Sequence, residues 1–116
     1  MEGYRIVFSD LDGTLLGEDH KVSEETKQKI RQLEERGIPF VMVSARMPSA
    51  VLPIQASVGI KAPVICYNGA LILGEDGALL QHIRIEIDVV KNVLKKIKEL
   101  YPKLICNLYT ERLLST

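Results

Sequence analysis

The chain has 116 residues, enough for one domain at most. Its 15 basic and 15 acidic residues give a formal net charge of zero, so no net positive field would draw it to nucleic acid or to an anionic membrane. Aromatic residues make up only 5% and tryptophan is absent, which argues against a stacking platform for single-stranded nucleic acid. The apolar runs are too short for a membrane-spanning helix.

The two cysteines and the N-terminus bear on the compartment. Cys66 and Cys106 provide neither a disulfide framework nor a zinc-binding spacing, and we expect both to be buried, reduced thiols. The first five residues lack the long apolar stretch of a secretory signal. Together these features predict a cytoplasmic protein.

The first apolar run, residues 4–9, predicts a strand. Its central apolar residues are contiguous, as in strands of a parallel sheet that are buried on both faces. A polar turn follows at residues 10–14, and residues 15–21 read as a loop. Ser23 is a good N-cap for a helix that Gly37 ends.

A second contiguous apolar run, residues 38–43, predicts a second strand. Residues 47–58 predict a helical segment in which Pro48 suits the first turn. Pro53 would either kink that segment or begin a second short helix. A third strand is predicted over residues 63–67.

The remaining residues predict a hairpin, a helix and one more strand. An Asp-Gly pair between apolar runs at residues 71–73 and 78–83 is a strong hairpin signal. Residues 88–100 carry apolar side chains at helical spacing, and residues 104–109 resemble a strand.

The alternation of strands and helices predicts the fold class. Two successive right-handed crossovers begin a Rossmann-like, doubly wound parallel α/β sheet, which is followed by a hairpin and an α+β segment. Ligands of such sheets bind beyond the carboxyl ends of the strands. Asp10, Ser44 and Asn68 lie just past those three ends, so we expect a site there.

The pair Asp10 and Asp12 suits phosphoryl transfer to a carboxylate. Asp10 would attack phosphorus, and Asp12 would donate a proton to the leaving oxygen and later accept one from water. Gly13 would permit a sharp turn, and Thr14 would supply a hydroxyl donor. The alternative is an acidic turn whose two carboxylates are merely solvated.

Electrostatics then requires a cation. Two unit charges 4 Å apart repel by about 4 kcal/mol at an effective dielectric near 20, whereas one charge-assisted hydrogen bond contributes only about 1.5–3 kcal/mol. A divalent ion offsets that repulsion, and Mg²⁺ fits because it prefers oxygen ligands and retains some waters.

Three segments resemble motifs of one family. Residues 8–16, Phe-Ser-Asp-Leu-Asp-Gly-Thr-Leu-Leu, resemble motif I of the haloacid dehalogenase-like (HAD) hydrolases. Ser44-Ala45-Arg46 resembles motif II, and Tyr67-Asn68-Gly69-Ala70 before a hairpin resembles the Cof-type branch with a type IIB cap. The resemblance extends over the whole chain and implies a partial HAD core followed by the start of a cap domain.

The resemblance implies a role for each matched residue. Asp10 is the nucleophile and Asp12 the general acid/base, and Mg²⁺ is bound by the Asp10 carboxylate and the Asp12 carbonyl. The Ser44 hydroxyl holds the phosphoryl group, Arg46 faces the substrate, and Asn68-Gly69 forms part of the pocket. Each of the last three has a simpler alternative: a helix N-cap, a surface residue and a turn dipeptide.

The resemblance also implies what this sequence lacks. We expect residues 1–83 to be the N-terminal part of the core and residues 84–116 the beginning of the cap. The motif III lysine and the motif IV acidic pair are absent from the sequence, and the first strand would form an exposed apolar edge that a homodimer or a missing C-terminal half would cover.

The predicted function is that of a Mg²⁺-dependent phosphatase of small phosphorylated metabolites, such as sugar phosphates. We expect the chain by itself to be nearly inactive. Two alternatives stay open: a non-catalytic, partner-dependent module (half of a split enzyme), and a receiver-like protein phosphorylated on Asp10 without turnover.

Overall fold

A computed structural model of the chain describes residue 3 and residues 5–108. It contains one five-stranded sheet in the spatial order β1-β2-β3-β4-β5. The strands and helices, in chain order, are β1 (Val7–Asp10), α1 (Glu24–Glu35), β2 (Phe40–Val43), α2 (Pro48–Val58), β3 (Val64–Cys66), β4 (Leu71–Leu73), β5 (Leu79–His82) and α3 (Ile87–Leu100).

The first three strands are parallel, as predicted. β1 pairs with β2 so that Asp10 lies opposite Val43, and β2 pairs with β3 so that Met42 lies opposite Val64. α1 and α2 are the two crossovers. The register brings the carboxyl ends of the three strands to the same edge of the sheet.

The predicted hairpin forms and continues the same sheet. β4 pairs antiparallel with β3, and β5 pairs antiparallel with β4, so the sheet is mixed rather than wholly parallel. The turn between them contains Gly77 at φ +83°, and the Asp76 carboxylate accepts the Ala78 N–H at 2.9 Å. The predicted α/β class is therefore confirmed, and the hairpin covers the β3 edge that the sequence alone did not assign.

Local signals explain both crossover helices. The Ser23 hydroxyl accepts the Thr26 N–H at 3.2 Å and caps α1, as predicted. α2 has Pro48 in its first turn and runs through Pro53 as one helix, ending at Gly59 in the left-handed region (φ +84°). Of the two alternatives for Pro53, the start of a second short helix is therefore wrong.

The core lies between the sheet and these helices. Its fully buried side chains include Leu11, Met42, Val51, Val64 and Leu71. β1 is one of the two edge strands of the sheet, and Phe8 is 58% exposed there. The exposed apolar edge predicted for the first strand is thus present.

A second compact unit begins at Ile83. It contains α3, close to the predicted helix. The strand predicted over residues 104–109 is wrong for residues 104–108, which are exposed and unpaired in any sheet, while residue 109 lies outside the described residues. A strand needs a partner for its backbone groups, and instead the Leu104 N–H bonds the Tyr101 carbonyl in a turn. No helix within residues 5–108 is long and apolar enough to cross a membrane.

Candidate active site

The carboxylate of Asp10 lies at the end of β1, next to the end of β2. Asp10 pairs with Val43 of β2, and Ser44 is the next residue after Val43 along the chain. Its Oδ1 accepts the Leu11 N–H at 3.0 Å, and the residue is exposed to solvent. The adjacent Leu11 is fully buried, which anchors the chain directly after the carboxylate.

A single tight turn follows, over residues Leu11–Leu15. The Leu16 N–H closes it by donating to the Leu11 carbonyl at 3.0 Å, and both leucines are buried. Gly13 has φ +76°, a conformation that costs an L-residue with a side chain about 1–2 kcal/mol. Residues 12–14 of this turn are therefore exposed at the end of the sheet where the parallel strands terminate.

Asp12 forms an ion pair with Arg46. Arg46 donates Nε–H to Asp12 Oδ2 at 3.0 Å and an Nη2–H to Asp12 Oδ1. The Asp12 side chain is about half exposed and that of Arg46 about one-third exposed. This contact joins the turn after β1 to the loop after β2.

Ser44 is the buried polar residue of the site, with 2% of its surface exposed. Its N–H donates to the Ile65 carbonyl at 2.9 Å, and its hydroxyl oxygen accepts the Arg46 N–H at 2.9 Å. The alternative role as a helix N-cap is wrong, because α2 begins at Pro48 with Met47 as its N-cap. The hydroxyl instead organises the loop at the end of β2.

The bend after β3 has three consecutive residues at positive φ: Tyr67 (+49°), Asn68 (+55°) and Gly69 (+99°). Asparagine and glycine tolerate this region better than other residues, but tyrosine does not. Three hydrogen bonds hold the bend: Tyr67 N–H to the Arg46 carbonyl (3.1 Å), Asn68 N–H to the Ser44 carbonyl (3.0 Å), and Gln81 Nε2 to the Gly69 carbonyl (2.9 Å). The turn interpretation of Asn68-Gly69 is correct for their backbone.

The structure brings most of the predicted site residues together. Hydrogen bonds connect Asp12 to Arg46 and connect the backbone of residues 44–46 to that of residues 67–68. Among the described residues, Thr14 makes no side-chain hydrogen bond to the others. The sequence interpretation missed Gln81, which lies on β5 and belongs to no motif. Its only signal was a polar residue that follows two leucines in a predicted hairpin strand.

Cys66 lies immediately before the bend and is completely buried. Burial raises the pKa of its thiol to about 11, so the sulfur stays protonated near neutral pH and is no competing nucleophile. Cys106, by contrast, is exposed, so the expectation of two buried thiols is wrong for that residue. It lies in the stretch whose predicted strand does not form.

The oxygen donors at the candidate site are of the chemical type that Mg²⁺ prefers. The Asp10 carboxylate and the Asp12 carbonyl are both hard oxygen donors of the type that this ion prefers. Within residues 5–108 no group of three or more His, Cys, Asp or Glu side chains could hold a metal ion. The part of the chain that the structure describes therefore offers two hard oxygen donors but no complete set of metal-binding side chains.

Comparison with known proteins gives a consistent result. Residues 7–114 match the family model of haloacid dehalogenase-like hydrolases. A Haemophilus influenzae protein named as a phosphatase is 36% identical over 107 residues, or 92% of this chain, and an HMP-PP phosphatase from Serratia proteamaculans is 34% identical over 78% of this chain. The solved structure of a haloacid dehalogenase-like hydrolase from Bacillus subtilis superposes with a TM-score of 0.74 and 34% identity over 83% of this chain.

The chain spans only part of each of these proteins: 40% of the Haemophilus protein, 33% of the Serratia phosphatase and 34% of the Bacillus structure. The residues that match the family model, 7–114, include all three segments that resemble family motifs. The chain therefore belongs to the haloacid dehalogenase-like hydrolases of the Cof type, as those segments predicted.

Proposed function

We propose that this chain carries the phosphoryl-accepting part of a Mg²⁺-dependent phosphatase that acts on small phosphorylated metabolites. The observation that supports it most is the convergence of the turn after β1 with the loops after β2 and β3. Asp10, Asp12, Ser44 and Arg46 come from two of these segments, and backbone hydrogen bonds join them to the third. Relatives named as phosphatases support the same chemistry.

In the proposed reaction, an oxygen of the Asp10 carboxylate attacks phosphorus while the bond from phosphorus to the leaving oxygen breaks. Asp12 donates a proton to that leaving oxygen. Water then attacks the aspartyl-phosphate, Asp12 takes the proton of the water, and inorganic phosphate leaves. The Ser44 hydroxyl and the exposed Thr14 hydroxyl are the candidate donors to the phosphoryl oxygens.

The Asp10 carboxylate and the Asp12 carbonyl would hold Mg²⁺. When bound, the ion supplies screening between the phosphate dianion and the carboxylate that approaches it. The chain's own contribution is the orientation of the two aspartates. The Leu11 N–H holds one oxygen of the Asp10 carboxylate, and the residue is exposed to solvent, where a substrate would approach.

The substrate class is inferred from the relatives. The Serratia protein is named for a phosphorylated small molecule, and the exposed turn at Asp12 leaves room for such a compound rather than enclosing it. A cytoplasmic location stays a prediction, as does the division into a core up to residue 83 and a cap after it.

Acetyl phosphate offers a direct test. A reactive Asp10 should take its phosphoryl group and release acetate, so intact mass spectrometry should show an adduct in the presence of Mg²⁺ that maps to Asp10. Asp10→Asn should abolish the adduct, and Asp12→Asn should let it accumulate because its hydrolysis lacks a base. Absence of an adduct on the wild-type chain would contradict the proposal, and an adduct equally long-lived with and without Asp12 would instead favour the receiver-like alternative.

A second candidate function is a non-catalytic, partner-dependent module. It is favoured by the partial donor set for the metal and by the exposed Phe8 on edge strand β1. Hydrolysis of para-nitrophenyl phosphate tests this second candidate. We expect the chain alone to hydrolyse this ester very slowly, whereas robust Mg²⁺-dependent turnover that is lost in Asp10→Asn would reject the module.

A further inference from the structure

Arg46 and Asp12 form a bidentate ion pair, in which one planar guanidinium donates to both oxygens of the carboxylate. We call this ion pair the fork. A bidentate pair of this kind fixes the direction of the carboxylate as well as its distance. It also crosses between two segments that lie 34 residues apart in the sequence. The resemblance to family motifs places Arg46 against the substrate, so this contact needs its own explanation.

The two ends of the fork differ in how firmly they are held. The Arg46 N–H donates to the Ser44 hydroxyl, and the Arg46 carbonyl accepts the Tyr67 N–H, so the backbone of Arg46 is fixed on both sides. Asp12 lies in an exposed turn next to Gly13, and an exposed aspartate can occupy several staggered rotamers. The fork therefore restrains Asp12 more than it restrains Arg46.

We propose that Arg46 is a positioning residue, which acts on phosphoryl transfer through the Asp12 carboxylate rather than by binding the substrate. The inference rests on the proposed function. A general acid or base works only within hydrogen-bond reach of its proton, and a displacement of about 1 Å costs on the order of 100-fold in rate. Lysine keeps the positive charge but lacks the two parallel N–H groups, so it cannot replace Arg46 in this role.

The kinetic test follows loss of the phosphoryl group from Asp10 after reaction with acetyl phosphate. We expect Arg46→Lys to slow this loss by roughly 10- to 100-fold, with the half-saturating concentration of acetyl phosphate unchanged. In an Asp12→Asn background the same substitution should have no further effect, because the carboxylate that it misplaces is gone. Arg31→Lys is the matched control, since the Arg31 guanidinium donates to the Val58 carbonyl outside the site.

Direct substrate binding by Arg46 gives a different pattern. Arg46→Gln would then raise the half-saturating concentration, Arg46→Lys would largely restore it, and both effects would persist in the Asp12→Asn background. That pattern overturns the positioning role. Equal rates of adduct hydrolysis in Arg46→Lys and in the wild type would also overturn the positioning role. That result would leave the proposed function intact.

A second measurement does not depend on phosphoryl transfer. The Nε–Hε resonance of Arg46 in a ¹H–¹⁵N NMR spectrum should shift and exchange faster with solvent when Asp12 is replaced by Asn. An unchanged resonance means that the fork is absent in solution and overturns the proposal. If the wild-type chain forms no adduct at all, the proposed function fails and the positioning role fails with it.

Discussion

The unit that ends at His82 and the unit that begins at Ile83 differ in whether their apolar side chains are buried. Among the described residues, every buried apolar side chain belongs to the first unit. Residues 83–108 contain none, and Ile105 is 85% exposed. The second unit nevertheless has the clearer amphipathic helix, α3.

This difference shows what a core contributes to a site. Each loop of the candidate active site lies within two residues of a fully buried side chain: Leu11 after β1, Met42 in β2 and Cys66 in β3. An amphipathic pattern such as that of α3 indicates that one face suits burial, but it does not identify what buries it. Three matched pairs, each with one residue from either unit, test the comparison.

The largest effect is expected for a leucine pair. Leu11→Ala removes a fully buried side chain between β1 and the turn that carries Asp12, so we expect it to lower the free energy of unfolding by about 2–5 kcal/mol. Leu100→Ala, at a residue 60% exposed at the end of α3, should change it by less than about 0.5 kcal/mol. Urea unfolding followed by circular dichroism measures both. Comparable losses would show that the second unit has a core in solution.

The two cysteines form the next pair. The pKa of Cys66 is raised to about 11 by burial, so the folded chain keeps this proton above pH 9 while the unfolded chain loses it. The stability that depends on Cys66 is therefore complete below about pH 9 and falls by about 2 kcal/mol by pH 11. Cys66→Ala should lack this fall, and Cys106→Ala should retain it.

Thiol reactivity checks the same contrast under native conditions. A thiol reagent such as 5,5′-dithiobis(2-nitrobenzoate) should modify the exposed Cys106 quickly and the buried Cys66 only after unfolding. Rapid modification of Cys66 in the folded chain, or a fall in stability above pH 9 that survives in Cys66→Ala, would contradict the assigned burial.

The first unit was largely predictable from sequence because its signals are local. Ser23 and Gly37 identified α1, and contiguous apolar runs identified the first two parallel strands. The Asp-Gly turn identified the hairpin. Its pairing with β3 could not be predicted, because hydrogen bonds between strands depend on which edges lie free and not on the turn itself.

The sequence predicted where the site lies in the fold better than it predicted which side chains contact each other there. Asp10, Ser44 and Asn68 could be placed together because parallel strands end at one edge. The fork from Arg46 to Asp12 and the bond from Gln81 to Gly69 join residues 34 and 12 positions apart, and their partners depend on side-chain direction. The strand predicted over residues 104–109 does not form over residues 104–108. These residues are mostly apolar, but they pair with no strand of the sheet.

The smallest effect is expected for the helix caps. The Ser23 hydroxyl caps α1 by accepting the Thr26 N–H, whereas Glu86 precedes α3 without any side-chain cap bond. Ser23→Ala should therefore lower the free energy of unfolding by about 1 kcal/mol, because an amide at the start of α1 loses its partner. Glu86→Ala should change it by less than about 0.5 kcal/mol. Urea unfolding of both variants, followed by the helical circular dichroism signal, measures the difference. Equal losses would mean that the interaction of an acidic side chain with the α3 dipole is as strong as a direct cap bond, and the energetic contrast between the two units would then lie in their packing alone.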